Sequence, residues 1–267
     1  MLIKRSNARQ ARNGFSDLEE IPDIYCMKLL MIWACAFACF SAACQQPPAN
    51  TGYSSPGKPY EYRLPSSGGT GKFYYGREIA AVMDASGSDW LERSSRPQEE
   101  NTDAIINAME LKPGMVVADI GAGTGYYTFR VAKLVPQGKV YAVEIQRELI
   151  DMLNEKKMKT DANVEVVQGD TLAANLPDNT IDLAFLVDVY HELSWPREII
   201  QSVSKSLKRD GKLLLIEYRG EDPNVRIKPL HKTTVAQLQR EMRANGFVLE
   251  KRVETFPIQH FLLFKKK

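Results

Sequence analysis

Between Asn101 and the C-terminus, short apolar runs alternate with stretches that have the 3.6-residue period of amphipathic helices. Turn residues bound the apolar runs, which are predicted strands at 116–120, 140–143, 164–167, 181–187 and 212–216. The predicted helices begin near Asn101 and lie at 128–134, 147–156 and 196–207. Strands that are apolar on both faces and separated by helices form a parallel sheet covered on both sides. The pattern therefore predicts a doubly wound α/β fold.

The pattern changes after the fifth predicted strand. Residues 233–244 are a predicted helix, and residues 247–253 and 260–264 are predicted strands joined by a turn at Pro257. So short a link favours antiparallel pairing. We therefore expect a mostly parallel sheet of seven strands that ends in a C-terminal antiparallel hairpin.

The four cysteines, Cys26, Cys35, Cys39 and Cys44, all lie near the N-terminus, which excludes a disulfide scaffold or a cysteine-bound metal in the globular part. Around them, Lys28 precedes an uncharged apolar run at 29–43 and small residues before Cys44. This layout is typical of a secretory signal, and its end resembles a bacterial lipoprotein signal. We predict a signal peptide over 27–44, a lipid on Cys44, and a location on the periplasmic side of a bacterial cell envelope, anchored to the membrane.

The neighbouring segments carry no predicted chemistry. Residues 1–26 mix basic and acidic side chains, so we interpret Met27 as the true start and 1–26 as a non-native or mis-started extension. The alternative is an uncleaved anchor or a packed apolar segment, and an unused signal would leave the protein in the cytoplasm. Residues 45–71 are rich in Pro, Gly, Ser and Gln and are predicted to form a flexible tether. We expect 72–100 to be a helical leader, packed over a ligand as a lid or simply extending the main domain at 101–267.

The charge of the chain indicates whether it would bind nucleic acid. With 35 basic and 33 acidic residues, the formal net charge is +2. Nucleic-acid binders usually show a concentrated basic patch, and the dense cluster at 265–267 is a chain terminus. We expect no nucleic-acid partner, and the sequence does not indicate the oligomeric state.

A glycine-rich turn follows the first predicted strand, reading Asp119-Ile-Gly121-Ala-Gly123-Thr-Gly125. Glycines permit a tight turn and a close approach of a ligand to the backbone. A dinucleotide-binding turn of the form G-x-G-x-x-G would have a small residue where this chain has Tyr126. The spacing with an acid two residues before the first glycine instead resembles motif I of class I S-adenosylmethionine-dependent methyltransferases.

That resemblance covers about residues 101–264 and implies a Rossmann-like sheet and S-adenosylmethionine as the cofactor. It implies that the turn receives the amino-acid end of the cofactor, with Asp119 near its ammonium group. The leader at 73–93 is also similar to that of a group of predicted exported methyltransferases.

Three further acids end predicted strands. Glu144 ends the second, where a carboxylate can accept hydrogen bonds from both ribose hydroxyls. The resemblance implies that Asp170, after the third strand, contacts the adenine amino group, and that Asp188, ending the fourth, lies beside the methionine end. Ligands of open α/β sheets bind at the carboxyl ends of strands, so these acids are predicted to share one crevice.

The sequence indicates the residues that would contact the methyl acceptor less clearly. Residues after the fourth and fifth strands should face the acceptor, and His191 is the candidate general base because an imidazole titrates near neutral pH. Tyr190 is a candidate polar or aromatic wall, and Glu217 a candidate orienting group. The alternative is that His191 merely caps or packs the following turn.

Two further features could bind ligands. The three histidines, His191, His231 and His260, could in principle form a metal site with nearby acids, but they include no close-spaced pair such as H-x-x-x-H, so no metal is expected. A basic stretch from Arg226 to Lys232 could hold an anionic acceptor or form a solvated loop.

The sequence therefore predicts methyl transfer to a small molecule or an envelope component. One alternative changes the acceptor to a protein side chain, and another keeps the cofactor pocket without catalysis. A nicotinamide-dependent oxidoreductase is the competing enzyme class, and Tyr126 and the terminal hairpin argue against it.

Overall fold

The computed structural model describes residues 59–267. The predicted extension, the signal peptide, Cys44 and the first part of the predicted tether lie outside the described residues. Within 59–267, none of the helices combines the length and apolarity needed to cross a membrane.

The N-terminal part of the described chain is a small antiparallel sheet rather than a tether followed by a helical leader. Its strands are β1 (Tyr60–Tyr62), β2 (Gly69–Tyr74) and β3 (Arg77–Ala80), in that order. Buried Tyr74, Ile79 and Ala80 pack this sheet onto the rest of the chain. Two short helices follow, α1 (Ser88–Leu91) and α2 (Arg96–Glu100). The helical interpretation of 72–100 was therefore wrong for 72–80.

Seven strands form the main sheet, in the order β6-β5-β4-β7-β8-β10-β9. They are β4 (Val116–Ile120), β5 (Lys139–Glu144), β6 (Val164–Gln168), β7 (Ile181–Val187), β8 (Leu207–Tyr218), β9 (Phe247–Val253) and β10 (Gln259–Lys266). The first five pair in parallel, whereas β10 is antiparallel to both β8 and β9. The predicted Rossmann-like sheet with a terminal hairpin is confirmed.

Helices cover both faces of this sheet, because side chains alternate between two apolar clusters along each strand. On β4, Ala118 and Ile120 face one cluster and Val117 faces the other. The first cluster packs against α6 (Pro196–Ser206) and α7 (Val235–Ala244). The second packs against α3 (Thr102–Ala108), α4 (Thr128–Ala132) and α5 (Arg147–Met158).

The strand order reverses direction at β4. The chain runs outward from β4 to β5 and β6, then returns to place β7 on the other side of β4. The connections on the two sides lead away from each other, which leaves a crevice at the carboxyl ends of β4 and β7.

Candidate active site

A cavity of about 690 Å³ opens at the carboxyl ends of β4, β5 and β7. Its size falls within the range of about 300–1,000 Å³ that is usual for ligand pockets. The strand-end acids line it, and so do His191, Glu192 and His231. Residues 81–84, Trp90 and Leu91 of the N-terminal segment also contribute to its lining. The cavity lies where the strand order predicts a ligand.

The glycine-rich turn begins the cavity wall, and its backbone cannot be built from other residues without strain. Gly121 and Gly125 have φ angles of 74° and 80°, in the left-handed region. A Cβ at Gly121 would lie 2.6 Å from Val189 Cγ1, and one at Gly125 would lie 2.6 Å from Phe129 Cε2. Close packing against protein side chains therefore adds to the need for glycine.

Asp119 ends β4 with its carboxylate buried at the cavity edge, and its side chain accepts a hydrogen bond of 2.6 Å from Thr128 Oγ1. Burial, with a smaller effect of the Glu144 charge, raises the pKa of Asp119 to about 7. A cation placed here would stabilise the ionised form. The position therefore suits an ammonium group.

Glu144 and Asp170 are held by backbone N–H groups. Gly123 N donates to Glu144 Oε2 at 2.9 Å, and the N–H groups of Ile145 and Gln146 donate to Oε1. Asp170 Oδ1 accepts hydrogen bonds from the N–H groups of Leu172 and Ala173, at 2.6 and 2.7 Å. Both carboxylates line the cavity with fixed orientations and retain lone pairs for hydroxyl or amino donors.

Asp188 follows β7 in a left-handed conformation with φ of 54°, which is uncommon for a residue other than glycine. Its Oδ2 accepts from Gln259 Nε2 at 2.6 Å, whereas its buried Oδ1 has no partner among residues 59–267. Burial and the charges of Glu100 and Glu217 raise the pKa of Asp188 well above its usual value. A strained backbone and an unsatisfied acceptor at the cavity edge indicate a ligand-binding role.

The N-terminal segment contributes contacts that the sequence pattern did not reveal. Met83 O accepts a hydrogen bond from Gln146 Nε2 at 3.0 Å, and Met83 N donates to Glu192 Oε2 at 3.1 Å. Thr124, in the glycine-rich turn, donates to Glu92 at 2.7 Å. The segment is thus tied to both sides of the cavity.

Tyr126 explains the departure from a dinucleotide-binding turn. Its buried ring lies 4.2 Å from the Arg96 guanidinium and 3.7 Å from that of Arg130, measured to the ring centroid. These cation–π contacts bring α2 against the start of α4. A small residue at 126 would remove this link between the N-terminal segment and the turn.

The structure brings His191 and Glu217 together. His191 Nδ1 lies 2.6 Å from Glu217 Oε2, and Glu217 Oε1 accepts from the N–H groups of Val189 and Tyr190. Burial alone would lower the pKa of His191, but the charges and hydrogen bonds of Glu217 and Glu192 outweigh it and raise the pKa to about 9. Glu217 therefore fixes the imidazole orientation, with Nε2 directed towards His231.

Tyr190 does not form a wall of the cavity, so that interpretation was wrong. It begins a 3-10 helix at Tyr190–Glu192, in which neighbouring side chains diverge by about 120°. His191 and Glu192 therefore face the cavity, whereas Tyr190 enters the core and donates to Glu241 Oε2 at 2.6 Å.

The structure also brings His191, Glu192 and His231 together, although their spacing in the sequence argued against a metal site. His191 Nε2 and His231 Nδ1 are 3.1 Å apart, and His231 Nδ1 lies 3.1 Å from Glu192 Oε1. The two histidines are 40 positions apart in the chain. Local spacing was the wrong guide to ligand clusters because the loop after β8 carries His231 back to the end of β7.

The four strand-end acids, Asp119, Glu144, Asp170 and Asp188, all line this cavity. Such a set of carboxylates is chemically suited to an ammonium group, hydroxyls and an amino group. The Rossmann-like sheet with its terminal hairpin completes the arrangement. Fold and site together are those of the class I S-adenosylmethionine-dependent methyltransferase family.

The chain belongs to the methyltransferase domain family, whose model matches residues 111–260. It is 27% identical to a SAM-dependent methyltransferase of Aquifex aeolicus, whose crystal structure superposes with a TM-score of 0.63 over 68% of this chain and 99% of that one.

Two curated relatives match shorter parts of the chain. An uncharacterized methyltransferase-like protein of Schizosaccharomyces pombe is 28% identical over 156 residues, which cover 58% of this chain and 57% of that protein. A ubiquinone/menaquinone biosynthesis C-methyltransferase of Escherichia coli is 30% identical over 116 residues, 42% of this chain and 46% of that one. The chain thus spans about half the length of the curated relatives it matches.

Proposed function

We propose that this protein transfers the methyl group of S-adenosylmethionine to a small acceptor molecule, an envelope component or its precursor. The observation that carries the proposal is a cavity lined both by the strand-end acids and by His191, Glu192 and His231. The acids suit the cofactor, and the cluster offers polar groups to the acceptor.

The residues of the chain mainly position and align the reactants. Bound S-adenosylmethionine supplies an electrophilic methyl group that an in-line nucleophile can accept. Asp119 and Asp188 would hold the charged end of the cofactor, and Glu144 and Asp170 its ribose and base. His191 lines the same cavity, in which the acceptor atom would have to lie close to the methyl group and in line with the bond that breaks.

The shape and lining of the cavity favour a small, partly apolar acceptor. Apolar side chains of Val82, Trp90, Leu91 and Ile227 line it, which suits an acceptor with apolar surface. The Escherichia coli relative, named for ubiquinone and menaquinone biosynthesis, supports an acceptor of this general kind. Arg226 and Lys228 also line the cavity and would accept an anionic substituent.

We also propose that the protein acts at the bacterial cell envelope. The support is the apolar run at 29–43 followed by small residues and Cys44. Mass spectrometry of the mature protein tests this, since a lipidated N-terminus at Cys44 is expected. A mature form that begins before Cys44 would contradict lipidation.

Calorimetry with the purified protein tests the cofactor assignment. We expect S-adenosylmethionine to bind, and Glu144→Gln to weaken binding at least about tenfold because a neutral amide accepts ribose hydrogen bonds less strongly than a carboxylate. Asp178→Asn, at an exposed position, is the matched control and should bind as the wild type does. Binding of NADH in place of S-adenosylmethionine would refute the assignment.

Incubation of the protein with labelled S-adenosylmethionine and envelope extract tests the transfer. Label in a low-molecular-weight, solvent-extractable fraction is expected. Label confined to protein would favour a protein acceptor, and label in neither fraction, with the cofactor bound, would favour a protein that binds the cofactor without transferring its methyl group.

A further inference from the structure

The cluster of His191, Glu192 and His231 has the composition and spacing of a metal site. His191 Nε2, His231 Nδ1 and Glu192 Oε1 are separated by 3.1, 3.1 and 3.8 Å. A circle through atoms at these separations has a radius of about 2 Å, close to the usual zinc–nitrogen and zinc–oxygen distances of about 2.0–2.2 Å. One ion can therefore contact all three atoms without a rearrangement of the side chains.

The hydrogen bonding around the cluster prepares His191 as a ligand. Glu217 accepts from His191 Nδ1, which leaves Nε2 on the side of the cluster, and a metal ion that binds Nε2 would displace its proton. A carboxylate behind a histidine in this way is the usual outer support of a metal-binding imidazole. Met83 N donates to Glu192 Oε2 and leaves Oε1 directed at the histidines.

In the ligand-free structure, the polar atoms of the cluster contact one another. His231 Nδ1 lies 3.1 Å from both His191 Nε2 and Glu192 Oε1. All three residues also line the cavity. A divalent ion would pair with all three.

We propose that His191, His231 and Glu192 bind a divalent transition-metal ion of the zinc class, which holds the methyl acceptor by an oxygen. Two imidazoles and one carboxylate form a ligand set that, in catalytic zinc sites, leaves a position open for water or substrate. All three ligand residues line the same cavity as the strand-end acids. The inference rests on the proposed function and names the acceptor class, a molecule with a hydroxyl oxygen as metal ligand.

The chemistry balances without a further reactant. An acceptor hydroxyl that binds the ion becomes more acidic, and its proton leaves to solvent. The oxygen then forms a bond to the methyl carbon while the carbon–sulfur bond breaks, and the electron pair of that bond stays on sulfur. His191 acts in this scheme as a ligand and not as the direct proton acceptor.

Metal binding by the purified protein tests the proposal directly. The chelator-treated protein is titrated with ZnCl₂, and CoCl₂ is used separately to record the visible absorption of a nitrogen- and oxygen-bound cobalt ion. We expect one ion per chain. His231→Ala should weaken zinc binding at least about 100-fold, because loss of a direct metal ligand lowers affinity more than loss of a residue that only supports a ligand. His231 ends a short 3-10 helix, Pro229–His231, and its side chain is 20% exposed, so its replacement should spare the core.

Two further variants sharpen the result. Glu192→Gln should weaken zinc binding as well. His260→Gln is the matched histidine control, because His260 pairs with Glu221 outside the cluster, and it should bind zinc as the wild type does. Equal zinc binding by wild type and His231→Ala, or no saturable binding by wild type, would overturn the proposal.

Cofactor binding separates this inference from the proposed function. S-adenosylmethionine should bind wild type and His231→Ala within about twofold of each other, because His231 is not one of the strand-end acids. If the cofactor binds and zinc does not, only the metal proposal fails. If the cofactor does not bind, the proposed function fails whatever zinc does. Activity that requires His191 but is unaffected by chelation would assign His191 as a base and also reject the metal.

Discussion

Replacement of Asp119 with asparagine should stabilise the ligand-free protein and weaken cofactor binding. Asp119 is 3% exposed, and burial is the main cause that raises its pKa to about 7. In the unfolded chain, an aspartate ionises at about pH 3.9. The folded protein therefore binds the proton more tightly than the unfolded chain, and its stability falls as the pH rises between these two values.

The expected magnitude follows from the two pKa values. A difference of about three units corresponds to about 4 kcal/mol of unfolding free energy near neutral pH. Asparagine does not ionise, so the advantage of Asp119→Asn over wild type grows from about pH 4 to about pH 7 and is constant above that. The advantage should be about 2 kcal/mol larger at about pH 7.5 than at about pH 5.5.

Urea unfolding of wild type and Asp119→Asn at these two pH values provides the measurement. Asp178→Asn, at an exposed position, is the control and should show no pH-dependent difference from wild type. An Asp119→Asn advantage that is equal at both pH values, or that shrinks as the pH rises, would refute the argument from burial. The same variant should lose at least about tenfold in affinity for S-adenosylmethionine, because the ammonium loses its carboxylate.

Further predictions concern the pH response, the turn, the core and the cavity wall. Wild-type affinity for S-adenosylmethionine should fall below about pH 7 by up to about tenfold per pH unit, as calorimetry would show, because protonated Asp119 cannot pair with the ammonium. Gly125→Ala should lower stability by about 1–3 kcal/mol in thermal unfolding, since its Cβ meets Phe129 at a φ of 80°. Tyr190→Phe should cost about 1–2 kcal/mol, through its bond to Glu241, without altering cofactor affinity; altered affinity would show that Tyr190 serves the site. Trp90→Ala should raise the KM for the acceptor more than it lowers kcat, because Trp90 lines the cavity; a change in kcat alone would assign it another role.

Alternation of apolar runs and helical periods was sufficient to predict the main sheet. The bounds of β4, β7 and β9 coincide with their predicted runs because turn residues delimit buried strands sharply. The antiparallel hairpin also followed from sequence, since the short link through Pro257 permits little else.

The N-terminal sheet could not be predicted in the same way. Strand β2 reads GTGKFY, with two glycines and a lysine, so it lacks the regular apolar alternation of a strand. Its pairing with β1 and β3 supplies the stability that its composition does not indicate. Composition alone therefore favoured a tether.

The residues near the proposed acceptor position could not be predicted for another reason. The type of helical turn at Tyr190–Glu192 decides which of three adjacent side chains enters the cavity, and sequence does not distinguish a 3-10 turn from an α-helical one at this length. His231 joins them through a long loop. Three-dimensional contacts between distant segments thus set this part of the site.

The N-terminal segment belongs to the functional unit of the protein although the family model does not include it. The family model covers 111–260, yet Met83, Trp90 and Leu91 supply part of the cavity wall from outside that span. The region that the family model matches is therefore smaller than the region that forms the cavity. A chimera would join residues 59–100 of this chain to the methyltransferase domain of a relative. It should acquire the N-terminal part of this cavity lining, and with it part of the acceptor preference, while it keeps the relative's own strand-end acids.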